Sequence, residues 1–203
     1  MSESIVGIDD TLTHVVGCDP GPEHCAFARV LRLPDSRLAV VAAAYPSYRE
    51  LIDGGARALG ELFPKGEGFA FCYEKVTSRY GACPGATTYD TCRNSGLALR
   101  WAVDNGADRA YGLGTVDWRV ALGGRTNLSD AEVRAELVRV LGSEQDKAVA
   151  GMAKGLKQQY GLEKPIGCHL RDAVGVAVGA FMMKRHGVPA SEREVWHGRT
   201  AEA

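Results

Sequence analysis

The sequence is first informative through what it lacks. Its six cysteines, at positions 18, 25, 72, 83, 92 and 168, contain no Cys-x-x-Cys pair and no compact zinc spacing. Several fall inside predicted strands, where cysteine behaves as a small buried apolar residue. The longest apolar run, Ala173 to Met183, is too short to span a bilayer. The stretch Met1 to Thr13 is short and polar, carries Asp9-Asp10 and does not resemble a secretory leader, so a reducing, cytoplasmic setting is expected. There is no internal repeat and no low-complexity tract. An excess of charge of one sign is also missing: the net charge is −1, which by itself announces no polyanion partner, although such a total can hide a basic face opposite an acidic pocket. What remains is ordinary for a globular chain of 203 residues, 45% apolar and 24% charged: one domain, with room for a small helical insertion.

Three strand-like segments come first, His14–Asp19, His24–Arg32 and Arg37–Ala44, separated by Pro20-Gly21-Pro22 and Leu33-Pro34-Asp35-Ser36. Short turn-like connections predict an antiparallel meander. The period then changes. Tyr48, Leu51, Ile52, Leu59, Leu62 and Phe63 recur at helical spacing, with Ser47 as N-cap and Pro64 as stop. A fourth strand is expected over Gly68–Glu74, a helix over Thr88–Val103 ended by Asn105-Gly106, and a fifth strand over Arg109–Val116. Helices follow near 130–142, capped from Asn127-Leu128-Ser129-Asp130, near 144–160, capped by Ser143, and from Leu170 to His186, where Gly187 and Pro189 end the pattern. Residues 1–12 and 188–203 read as flexible tails around one domain over 13–187, with the stretch 128–142 as an inserted helix. The order βββαβαβ predicts an α/β, RNase H-like fold: a five-stranded mixed sheet, three antiparallel strands then parallel ones, flanked by helices. In that order the first and fourth strands lie side by side at the centre, and ligands of open α/β sheets gather at such strand ends.

Four polar residues interrupt apolar segments. Asp19 ends the run His14 to Cys18, Glu74 ends Gly68 to Tyr73, and His169 and Asp172 open the last helix. Burying an unpaired carboxylate costs several kcal/mol, so three of them at the ends of core elements call for a compensating partner, and a divalent cation is the simplest. Each also has a plainer explanation: Asp19-Pro20-Gly21 as a turn cap, Glu74-Lys75 as a surface ion pair, His169 to Asp172 as an acidic first helical turn. Their order along the chain favours a shared site, since residues three apart on a helix share a face.

The segments Val15-Val16-Gly17-Cys18-Asp19-Pro20-Gly21, Tyr73-Glu74-Lys75-Val76 and His169-Leu170-Arg171-Asp172-Ala173-Val174-Gly175-Val176-Ala177 together resemble the RuvC-type Holliday junction resolvases, over about residues 14–186. That family places an Asp at the end of strand one, a Glu at the end of strand four, and an Asp on the last helix preceded three residues earlier by Asp or His. The resemblance implies an endonuclease that resolves four-way DNA junctions by paired nicks. Asp19, Glu74, His169 and Asp172 would be its catalytic and metal-binding residues, with two Mg²⁺ ions, or Mn²⁺ in their place. His169 would be a ligand that shifts preference toward Mn²⁺ or a group that orients and deprotonates water. It further implies branched DNA as partner, a homodimer, no membrane association, and a bacterial or infected-host cytoplasm for a divergent, phage-like member. Two departures stand out. The loop Thr77 to Gly85 is longer and lacks the family's aromatic close after the Glu, for which Tyr80 is a candidate substitute, and Leu128 to Gly142 is inserted.

Positive charge for DNA is expected from Lys75, Arg79, Arg93, Arg119, Arg125, Lys147, Lys154 and Lys157, with Tyr80 beside them. Leu97, Leu99 and Trp101 are core or an isologous dimer seam. The rival readings are an actin- or hexokinase-like ATPase, a catalytically idle DNA-binding module, and a related nuclease for flaps, forks or RNA. The first needs a second Gly-rich phosphate loop that Ala121-Leu122-Gly123-Gly124 does not supply, the second has no use for the complete acidic set, and the third shares the same chemistry.

Overall fold

The structure, a computed structural model, describes residues 13–53, 59, 62–63, 66, 68–76, 86–186 and 194–197. Strands β1 (His14–Pro20), β2 (Cys25–Arg32) and β3 (Leu38–Ala44) form the expected antiparallel meander, with Asp19 opposite Ala26 and Pro20 opposite Cys25. Helix α1 (Tyr48–Ile52) leads to β4 (Phe69–Lys75), which pairs parallel with β1. Helix α2 (Ala86–Asp104) crosses to β5 (Ala107–Gly114), parallel to β4. Helices α3 (Thr115–Gly123), α4 (Asp130–Leu141), α5 (Ser143–Gln159) and α6 (Gly167–His186) follow, then β6 (Glu194–His197). The sheet order is β3-β2-β1-β4-β5-β6, so β1 and β4 are central, as an RNase H-like order requires.

Period-2 alternation decides which side chains meet. In β1 Val15 belongs to the core beneath α6, whereas Val16 and Cys18 belong to the core beneath α2. In β4 Ala70 and Cys72 face the α6 side, and Phe69 and Phe71 the other. Continuing each alternation puts Asp19 and Glu74 on the α6 face of neighbouring strands. Helix α6 approaches β1 very closely: a Cβ built on Gly17 would stand 2.1 Å from the Ala173 carbonyl oxygen. Gly175 and Gly179 of α6 leave a slot for Trp118 of α3, whose ring would stand 2.6 Å from a Cβ at Gly175. Trp118 is fully buried, and truncating a residue of this kind to alanine costs about 3–5 kcal/mol.

Three elements differ from the sequence expectations. Helix α1 stops at Ile52, where the Asp53 N–H bonds the Arg49 carbonyl, although Leu59, Leu62 and Phe63 are still buried. The fifth strand ends at Gly114 instead of Val116, and the chain turns at once into α3, a helix the sequence reading does not contain; Gly114 is its N-cap, and Asp117 accepts the Gly114 N–H at 2.8 Å. Residues 194–197, expected within a flexible tail, pair antiparallel with β5 as a sixth strand. An open β5 edge would offer unpaired backbone groups, and this pairing covers it. The expected tail 1–12 lies outside the described residues. No helix among the described residues is long and apolar enough to cross a membrane.

Candidate functional site

The turn after β1, the end of β4 and the start of α6 converge on one cleft of about 410 Å³, lined by Asp19, Glu74, Lys75, Thr115 and His169 and walled on one side by threonines of α2. His169 Nδ1 lies 3.0 Å from Asp19 Oδ2; the imidazole is half exposed and the Asp19 side chain only 16% exposed. The hydrogen bond to Asp19 raises the His169 pKa above its ordinary value, against the opposing effect of burial. A ladder of rings flanks the histidine: Tyr45 lies 6.2 Å from the His169 ring and stacks on His24 at 5.1 Å.

Glu74 accepts a hydrogen bond from the Thr115 hydroxyl at the head of α3. Burial raises the Glu74 pKa; the Thr115 bond opposes this, and the charge of Asp19 adds to it. Asp172 stands behind the cleft, one turn along α6 from His169. Burial first, and then the charges of Asp19 and Glu74, push its carboxyl up to about 7. Arg119 of α3 is the countercharge to both Glu74 and Asp172. Its guanidinium is 19% exposed, donates to the Leu128 carbonyl at 2.6 Å and lies over the Trp118 ring. The site therefore holds three carboxylates near enough to raise one another's protonation, with a half-exposed histidine bonded to Asp19 and one tethered arginine, and the repulsion is only partly answered.

That donor set matches a hard divalent cation in chemistry: carboxylate oxygens with one imidazole. Burial first, and then uncompensated negative charge, raise these acid groups, and a cation would offset both. Placement is a separate matter. Among the described residues no three His, Cys, Asp or Glu side chains stand ready around a common ion position; Asp19 is engaged by His169 and Glu74 by Thr115.

Of the residues expected to contact DNA, Lys75 is the one that lines the cleft among those described. Arg93 is occupied on α2, with Asp90 at 3.1 Å, the Tyr48 ring beneath it and the Asn94 side chain beside it. Arg125 bonds Glu132 at 2.7 Å, and Lys147 bonds Glu144 at 2.8 Å. Lys154 is exposed and Lys157 partly buried on α5. Arg79 and Tyr80 lie outside the described residues. Leu97, Leu99 and Trp101 pack against the α2-side core, and the Trp101 indole donates to the Leu51 carbonyl. Thr115, Arg119 in its role as countercharge, Tyr45 and Asn94 were not singled out as site residues in the sequence. The one local signal for Thr115 was the Asp117 that caps α3.

No family model and no curated protein matches the chain. Solved structures do. The chain is similar to Thermus thermophilus RuvC, with 22% identity and a TM-score of 0.56 over 86% of this chain and 97% of that one. It is similar to the T. thermophilus RuvC in complex with a Holliday junction substrate at 19% identity and a TM-score of 0.58, over 86% and 96%. The yeast mitochondrial Holliday junction resolvase Ydc2 matches at 15% identity and a TM-score of 0.52, over 88% and 81%. The chain thus has the RNase H-like fold of these resolvases.

Proposed function

We propose that this protein is a divalent-metal-dependent endonuclease that resolves four-way DNA junctions by paired nicks. The observation that carries the reading is the convergence of Asp19, Glu74, His169 and Asp172, from three separate elements, on one end of the central strands, with burial and mutual repulsion raising Glu74 and Asp172. The likeness to RuvC bound to a Holliday junction supports the choice of substrate.

Asp19, Glu74 and Asp172 would hold the metal, with His169 at its edge. Divalent ions bound there supply an activated water at neutral pH and stabilise the leaving 3′ oxygen. The chain's own residues do the rest. Thr115 fixes the rotamer of Glu74 by donating to its carboxylate. Arg119 favours the ionised form of Glu74 and Asp172 that ligation needs, opposing in part the burial and repulsion that raise both groups. His169 holds Asp19 through Nδ1, leaving Nε2 as the ring atom free to exchange a proton with water. Lys75 lies at the cleft wall, where it favours a phosphate. A four-way junction presents two scissile phosphates related by approximate two-fold symmetry, so the active species is a homodimer with one site per opposed strand.

The decisive experiment compares a synthetic four-way junction with a flap, a fork and linear duplex, each with Mg²⁺ and with Mn²⁺. Symmetric, ligatable nicks confined to the junction are expected. Cleavage confined to flaps or forks would replace junction resolution with the broader reading of a branched-DNA nuclease. Binding without any cut would make the protein a non-catalytic DNA-binding module.

A further inference from the structure

Asn94 is a fully buried polar side chain in the middle of α2, an unfavourable place for asparagine unless its side chain has work elsewhere. Its Nδ2 donates to the Gly21 carbonyl at 2.8 Å and to the Pro22 carbonyl at 2.9 Å, and its Oδ1 accepts from Arg93 Nε at 3.3 Å. Both acceptors lie in the turn immediately after Asp19. The other carbonyls of that turn are answered by backbone: His24 accepts from the Gly21 N–H at 2.9 Å, and Glu23 accepts from the Tyr48 N–H at 3.0 Å. Gly21 is closed in as well, since a Cβ there would stand 2.7 Å from the His24 carbonyl oxygen. Every carbonyl from Gly21 to His24 therefore has a partner, and one side chain supplies two of them.

We infer that Asn94 is a positioning residue: it clamps the Pro20-Gly21-Pro22 turn to α2 and thereby holds the Asp19 carboxylate where the cleft requires it. As a catalytic statement this rests on the nuclease reading above. The same helix walls the cleft with Thr87, Thr88 and Thr91, so Asn94 ties that wall and the carboxylate into one unit. Ser95 provides a natural control. It is buried on the same helix but donates only to the Thr91 carbonyl within that helix, at 2.9 Å.

The test compares Asn94→Ala, Asn94→Asp and Ser95→Ala with the unaltered protein in single-turnover junction cleavage, junction affinity, Mn²⁺ titration without DNA, and backbone amide NMR. Loss of a ligand-orienting partner typically lowers activity or metal affinity by about 10–100-fold. The Asn94 variants should show that loss in cleavage rate and Mn²⁺ affinity while junction affinity stays within about two-fold. The Asp19 and Gly21 amide resonances should move in these variants and stay in place in Ser95→Ala. Wild-type cleavage by both Asn94 variants, or an equal loss in Ser95→Ala at matched melting temperature, would overturn the inference. If the Asn94 variants do not fold, the unaltered protein decides. Slow exchange of the Asn94 side-chain amide protons, with hydrogen-bond couplings to the Gly21 and Pro22 carbonyl carbons, supports the clamp, and exchange at the free rate refutes it. If the unaltered protein cuts no junction, the nuclease reading fails, while the amide measurements still judge the clamp.

Discussion

The α4–α5 hairpin and the cleft are both rich in charge, and they treat it in opposite ways. In the hairpin nearly every charge is answered at short range. Ser129 and Glu132 form a reciprocal capping box, and Glu132 also receives Arg125. Arg134 grips Asp146 with bonds of 2.6 and 3.2 Å, Arg139 meets Glu136, and Lys147 meets Glu144. The hydrogen bond from Arg134 lowers the Asp146 pKa, and the bonds from Ser129 hold Glu132 down at about 2. In the cleft the carboxyl groups of Glu74 and Asp172 are instead raised. Paired charge is a surface device worth little per pair. Charge left in mutual conflict at the ends of core strands is a cost that a purely structural region has no reason to carry.

Removing a charge from each region sharpens the contrast, and the largest effect belongs to Asp19→Asn. This change keeps shape and volume, so the fold and junction binding should persist while cleavage falls by at least roughly 10²–10³-fold, the loss seen when one transition-state-stabilising group is removed. Normal Mg²⁺-dependent cutting by purified Asp19→Asn protein would break the assignment.

The second effect is on stability, and its sign is opposite to the usual one for a carboxylate. The folded-state pKa of Asp172, about 7, lies above its ordinary value. Between about pH 4 and pH 7 the folded protein therefore binds more protons at this group than the unfolded chain, and stability falls as pH rises through that window. His169, also raised, contributes stability that is present below its unfolded pKa and lost as pH rises through its folded value. Without metal, Asp172→Asn should be more stable than the unaltered protein above pH 7, by less than about 4 kcal/mol, with the difference vanishing toward pH 4. Superimposable melting curves for the two proteins at pH 4 and pH 8 would show that the conflict in the cleft is not felt by the fold.

The smallest effect is expected in the hairpin. Arg134 is about half exposed, so Arg134→Ala should cost less than about 1 kcal/mol and leave junction cleavage within two-fold of the unaltered rate. A large loss of cleavage would mean that Arg171, which also reaches Asp146 at 3.7 Å from its place beside Asp172, carries strain from the hairpin into the site.

The sheet and the meeting of Asp19 with Glu74 were legible because both depend on period and order, which a single sequence displays. Val15, Gly17 and Asp19 alternate with Val16 and Cys18 whatever else the chain does. The last helix was legible for the same reason, and His169 and Asp172 with it. Helix α3 was not, because its N-cap is Gly114, which has no side chain to announce a start, and Thr115-Val116 continues the β-prone run of β5. The places of Trp118 and Arg119 were hidden with it: Arg119 was expected to offer its charge to DNA, and its guanidinium is tied to the Leu128 carbonyl. Asn94 carries no local signal, since both its acceptors lie more than seventy residues away along the chain. The edge strand at 194–197 likewise depends on a non-local pairing that composition does not reveal.

Gly17 sets the distance between the two halves of the cleft. Two residues before Asp19, the backbone of β1, bare of a side chain at Gly17, rests against the backbone and the Ala177 methyl group of α6. Contact of this kind is short-range repulsion and dispersion, which ionic strength and proton concentration leave untouched. Salt and pH will change how strongly the acidic groups feel one another, but the spacing of the strand and helix that carry them is fixed by atoms in touch.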